Sequence, residues 1–152
     1  MLAGLSAGAM CWFEGGISVS GGRPAPARGL GLLRGSLSVH LRSERQRLPA
    51  YRRAIAGGAL PDGYALDDSV ALLFVGRALA ECFSSQPSAR ALRVGRTNGG
   101  TEVSPLPLRL LPGTPSRSGG IEPVLRPAVA AEELALRELR QLRRRFAGWP
   151  SS

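Results

Sequence analysis

Gly4-Leu5-Ser6-Ala7-Gly8-Ala9-Met10-Cys11-Trp12-Phe13-Glu14 is the stretch on which the reading of this chain turns. A serine between small residues suits a sharp turn into a helix. Its neighbours must be tiny to avoid clashes, and the hydroxyl is left exposed at the helix N-terminus. Ser6 is therefore a candidate nucleophile, and the backbone N–H of Ala7 a candidate donor to the oxygen of a bound carbonyl. Met10 to Glu14 has a helical composition, and Gly15-Gly16 predicts its stop.

A hydroxyl needs a base to take its proton at neutral pH. His40 is the single histidine of the chain, so it is the one imidazole available. The base must itself be oriented, usually by a carboxylate. Asp67 and Asp68, downstream at the end of an apparent strand Tyr64-Ala65-Leu66, are the candidates. Each residue also has a plainer reading: small residues begin many helices, a lone histidine is more often a surface or core residue, and Asp-Asp is usually a solvated turn. Both readings stand at this level.

Working outward, Gly21 to Leu33 is rich in Gly, Pro and Arg and reads as a loop, in which Gly29-Leu30-Gly31-Leu32-Leu33 suggests a short buried strand. His40 follows beyond it. Pro49 suits the first turn of a helix over Ala50 to Ala56, which Gly57-Gly58 ends and whose inner face carries Tyr51 and Ile55. Val70 to Val75 and Leu79 to Phe83 read as strands joined by a tight turn at Gly76-Arg77. Ala89 to Val94 reads as another strand, with Asn98-Gly99 predicting a hairpin before Glu102-Val103. Prolines and glycines then recur through residues 111–128, as in a linker. A helix over 129–148 carries Ala135, Leu139, Leu142 and Phe146 on one stripe, with acidic residues in its first turn and arginines in its last.

The chain's 152 residues fit one ordinary domain with room for a core. Gly and Pro, 20 and 12 residues, make it loop-rich without reaching low complexity. No apolar run approaches the ~20 residues that span a bilayer, and no basic segment precedes the apolar N-terminus, so a cytoplasmic location is expected. The net charge of +9 rests on arginine alone, because lysine is absent. That bias fits a GC-rich coding sequence better than a nucleic-acid surface, which would interleave its cations with aromatics. Cys11 and Cys82 lie far apart, and with one histidine they do not compose a metal site, so neither metal nor cofactor is expected.

The segments Gly4 to Gly16, Gly29 to Leu33, His40, Pro49-Ala50-Tyr51, Leu60 to Ala65, Asp67-Asp68, Phe74-Val75-Gly76, Leu79-Ala80-Glu81 and Pro105-Leu106-Pro107 together resemble the peptidase E family of serine peptidases. The resemblance covers about residues 1–110. It implies an α/β fold, a three-layer α/β/α sandwich of the class I glutamine amidotransferase-like type. The resemblance further implies that the chain corresponds to the C-terminal half of that domain, since the family's elbow lies mid-chain and this one begins at Gly4. The implied activity is hydrolysis of short peptides, with a preference for an N-terminal aspartate, through an acyl-enzyme. Ser6 would be the nucleophile, His40 the general base and then acid, and Asp67 or Asp68 the orienting acid. An acidic substrate calls for a guanidinium fork, which Arg47, Arg52 or Arg53 would supply. Arg42, close to His40, adds a cation that would disfavour protonation of the imidazole. A homodimer, or a partner supplying the N-terminal half, is the implied assembly. The rival reading is an inactive homologue whose exposed sheet edge and final helix mediate association; a nucleic-acid binder ranks below both.

Overall fold

The computed structural model of the chain describes residues 1–19 and 22–112. The expected helix at 129–148, and the expected linker beyond Pro112, lie outside them. In chain order the described elements are α1 (Ala7–Met10), β1 (Phe13–Ser18), β2 (Ala25–Arg28), β3 (Leu33–Ser38), α2 (Arg47–Ala56), β4 (Gly63–Leu66), β5 (Val70–Val75), β6 (Ala78–Ser84), β7 (Ala91–Thr97), β8 (Gly100–Pro105) and β9 (Arg109–Leu110). The architecture is α/β. A six-stranded sheet runs β2-β1-β3-β4-β7-β8, and a three-stranded sheet runs β5-β6-β9. In the larger sheet β1, β3 and β4 are parallel, while β2, β7 and β8 add to them antiparallel.

One face of the larger sheet is covered by α2. Tyr51 and Ile55, fully buried on the helix, pack with Ile17, Ala65 and Val94 of the sheet. The helix begins at Arg47, earlier than expected, because Pro49 is tolerated anywhere in a first turn that has no N–H partner to offer it. It ends as expected, at Gly57 and a left-handed Gly58 that donates to the Ile55 carbonyl at 3.1 Å. On the opposite face Phe13, Leu37 and Leu66 pack with Val70, Leu72 and Phe74 of the small sheet and with Ala9 and Met10 of α1. Phe13, Tyr64 and Phe74 meet edge to face there, with centroids 5.6–6.2 Å apart.

Two sequence expectations are corrected. The helical stretch is Ala7–Met10, and Phe13-Glu14 instead open β1, which runs straight through Gly15-Gly16. Those glycines are strand residues because neighbouring backbone leaves no room: a Cβ on Gly15 would stand 2.8 Å from the Ala27 carbonyl oxygen. The β1–β3 register slips between Phe13 and Gly15. That irregularity sends Phe13 to the small-sheet face and Ile17 to the α2 face, where strict alternation would have put them together. The buried strand expected at Gly29 to Leu33 is also absent; Leu30 and Leu32 are exposed, and only Leu33 enters β3. An exposed edge strand, β2, lies instead in the preceding loop, where Pro26 is admissible because an edge needs one hydrogen-bonded side only. The two hairpins form as expected, with Gly76-Arg77 between Val75 and Ala78 and Asn98-Gly99 between Thr97 and Gly100.

Candidate active site

Because β3 and β4 are parallel neighbours, their C-terminal ends emerge at the same edge of the sheet. His40 follows β3 by two residues and Asp67-Asp68 follow β4 directly. Backbone bonds pin both exits: Leu41 N–H donates to the Leu66 carbonyl at 3.1 Å, and Asp67 N–H to the Arg90 carbonyl at 2.9 Å. Ser6 arrives at the same place from the front of α1. No strand precedes it among the described residues, and residues 1–5 are exposed.

The serine, the histidine and one aspartate form a continuous chain of hydrogen bonds. Ser6 Oγ lies 2.7 Å from His40 Nε2, and His40 Nδ1 is bonded to Asp68 Oδ1. An ionised carboxylate only accepts, so in the neutral imidazole the proton sits on Nδ1 and Nε2 accepts from the Ser6 hydroxyl. Asp68 Oδ2 takes a further hydrogen bond from Ser43 Oγ at 2.7 Å. The bond from His40, and then that from Ser43, hold the Asp68 carboxyl below the ordinary carboxylate range despite its exposure. Nothing in the sequence marked Ser43, a hydroxyl in the turn before α2.

The adjacent Asp67 does different work. Its side chain is buried, and its oxygens accept from Arg90 N–H at 3.0 Å, Arg90 Nε at 3.1 Å and Arg90 Nη2 at 3.3 Å. Arg42 reaches the same carboxylate at 3.7 Å and also bonds the Ser88 hydroxyl, at 3.1 Å, and the Ser88 carbonyl. The cation that sequence proximity placed beside the imidazole is therefore directed at Asp67 and Ser88.

Strain marks the site. Ser6 has φ 52° and ψ −120°, His40 φ 64° and Ser69 φ 66°. These are the described non-glycine residues with positive φ, and all three belong to the constellation or adjoin it. Such conformations cost of order 1–3 kcal/mol each and persist where the surroundings over-determine them. At Ser6 the backbone turns sharply into α1, leaving the Ala7 N–H at the first helical position without an intrahelical acceptor. Gly4 is required for that turn, since a Cβ on it would come within 2.7 Å of the Ala9 nitrogen and closer still to the Gly8 carbonyl. Gly8, by contrast, has open space around its α-carbon.

The arginines expected to meet an acidic substrate are placed elsewhere. Arg47 is buried and donates to the Ile17 carbonyl at 2.6 Å and to Glu44 at 2.8 and 3.1 Å, which holds the Glu44 carboxyl below its usual range. Arg52 bonds Thr101 Oγ1 at 2.9 Å, and Arg53 is exposed on α2 about 9 Å farther along the helix than Arg47. Neither is joined to the Ser6–His40–Asp68 chain. Cys11 and Cys82 are both free thiols. Among the described residues, no three His, Cys, Asp or Glu side chains are grouped to hold a metal ion, and no helix is long and apolar enough to cross a membrane.

Comparison with known proteins bears on the same segment. The model of peptidase family S51 matches residues 1–82, a span that contains Ser6, His40 and Asp68. An uncharacterized peptidase of Bacillus subtilis (strain 168), YgaJ, is 40% identical over 111 residues, 73% of this chain and 48% of its own length. The chain thus spans about half the length of that relative. No solved structure matches it. With more than half of its residues under that family's model, the chain belongs to peptidase family S51.

Proposed function

We propose that the chain carries the catalytic residues of a serine-type peptidase that hydrolyses short peptides. The observation that carries this reading is the unbroken relay Ser6 Oγ, His40 Nε2, His40 Nδ1, Asp68 Oδ1, set on strained backbone at the C-terminal edge of parallel strands. Ser6 Oγ attacks the scissile carbonyl carbon while His40 Nε2 takes the hydroxyl proton. Asp68 fixes the Nδ1–H tautomer and stabilises the imidazolium that forms. The tetrahedral oxyanion accepts from the Ala7 N–H. Collapse breaks the C–N bond, and the imidazolium returns its proton to the leaving amine. Water, deprotonated by the same nitrogen, then cleaves the Ser6 ester and restores the hydroxyl.

Asp68, rather than Asp67, is the orienting acid in this proposal, since Asp67 is engaged by Arg90 and Arg42. Peptides with an N-terminal aspartate remain the first substrates to try, on the strength of the family resemblance; Arg47 and Arg53 lend that preference no support. The test is hydrolysis of Asp-X dipeptides and their neutral X-X counterparts by the purified chain. Ser6→Ala and His40→Ala should each lower kcat by about 10³-fold or more. Turnover that survives Ser6→Ala overturns the proposal.

A further inference from the structure

A concavity lies at the other end of the sheet from the relay. Its lining comes from the N-terminal ends of β3 and β4, the β5–β6 turn and the outer half of β7, and its volume is about 860 Å³. Arg34 lies at the start of β3 and His40 beyond its last residue, so the cavity and the relay sit at opposite ends of that strand. It is a separate place on the molecule.

Four arginines from three elements converge there: Arg34, Arg77, Arg93 and Arg96. Elsewhere the described arginines with carboxylates near them pair with those carboxylates, as Arg42, Arg47, Arg90 and Arg109 do. In the cavity they do not. Among the described residues the Arg34 and Arg77 side chains have neither a hydrogen bond nor an ion pair, and the contact of Arg93 is with the Tyr64 ring, 5.7 Å from its centroid. Arg96 is aimed by the bond from its Nε to the Ile55 carbonyl, at 2.8 Å, which leaves its terminal nitrogens beside Gly58. Two carboxylates share the lining but are turned to backbone: Glu14 accepts the Gly35 N–H at 2.7 Å, and Asp62 the Arg96 N–H at 2.9 Å. The four guanidinium groups outnumber these two carboxylates, so the lining keeps a net positive charge that favours entry of an anion. Guanidinium forks match the planar oxygens of phosphate and carboxylate alike.

We propose that this cavity binds a small, multiply charged anion bearing phosphate or carboxylate groups. Its size admits an ion with several charged groups, and the arginines reach it from three separate elements, so such an ion can engage more of them than a monovalent one. The two sources of such chemistry, an oligophosphate and a short acidic peptide, are separated by the probes.

The experiment is calorimetric titration of the full 152-residue chain with sodium tripolyphosphate and, separately, with tetra-aspartate. Saturable one-to-one binding of either probe, weakened at least tenfold in Arg34→Gln/Arg77→Gln, supports the site and identifies the source. Both replaced side chains are exposed and, among the described residues, unpaired, so the variant should melt like the parent. Arg143→Gln/Arg144→Gln, which removes the same charge from the basic C-terminal stretch, should bind as the parent does. Absence of saturable binding of both probes, or equal weakening in the two double variants, overturns the proposal, since the second result means attraction to net charge alone.

Discussion

Asp67 and Asp68 are chemically identical neighbours with opposite surroundings, and substitution should separate them. Asp67→Asn leaves the Arg90 guanidinium facing a neutral amide in a buried position. We expect it to lower stability by about 1–3 kcal/mol, read by urea unfolding, with hydrolysis following the folded fraction. Asp68→Asn should instead lower kcat by about 10³-fold or more, as expected when the imidazole tautomer is no longer fixed, while leaving the melting temperature near neutral pH little changed. The sign of its pH effect follows from the depressed carboxyl. A group whose folded pKa is lowered contributes stability above its unfolded value, ~3.9, and loses it as pH falls through the folded one. The parent's small advantage over Asp68→Asn should therefore shrink as melts are taken from about pH 6 toward pH 3; an advantage that grows on acidification contradicts the assignment. His40 and the two aspartates were legible in the sequence because the chain offers few of either type, and Ser6 because its neighbours are small. Which aspartate faces the imidazole was not, because a single step along the chain at the end of β4 reverses the side-chain direction.

Element by element, the helices and hairpins were readable where a local rule had no competitor: Pro49 and Gly57-Gly58 bracket α2, and Asn98-Gly99 joins β7 to β8. Misreadings arose where a distant strand decides. Gly15 and Gly16 look like a helix stop, yet they serve the close approach of β2 and β3. Gly29 to Leu33 is apolar, yet two of its leucines stay outside the core. The turn before α1 yields a prediction that the motif alone would not. The motif asks for small residues on both sides of Ser6, whereas the space around them is unequal. Gly4→Ala should displace α1 and cost about 10²-fold in kcat/KM, the scale of a 1 Å misplacement of a catalytic group. Gly8→Ala should be neutral or stabilising by up to ~1 kcal/mol, as alanine favours a helix. Parallel kinetics and melts of the two variants check this, and equal damage from both would contradict the unequal space.

Across the whole molecule, +9 of net charge resides entirely on guanidinium groups that stay protonated at any ordinary pH. Self-repulsion on that scale is screened by salt, with the Debye length falling from about 30 Å at 0.01 M to about 8 Å at 0.15 M. The melting temperature should therefore rise by a few degrees over that range of sodium chloride; a fall would show that attractive pairs such as Arg90–Asp67 outweigh the repulsion. The left-handed backbone at Ser6, His40 and Ser69 has a consequence for anyone who sets out to make the protein more robust. Glycine at any of the three would release strain of order 1–3 kcal/mol, against roughly 1 kcal/mol of chain entropy and, at Ser6 and His40, the hydrogen bonds of the relay. Wherever the strain is the larger, a screen for heat resistance alone would reward loss of the serine or the imidazole and enrich for sturdier proteins stripped of their chemistry. Selection here has to read turnover and melting together.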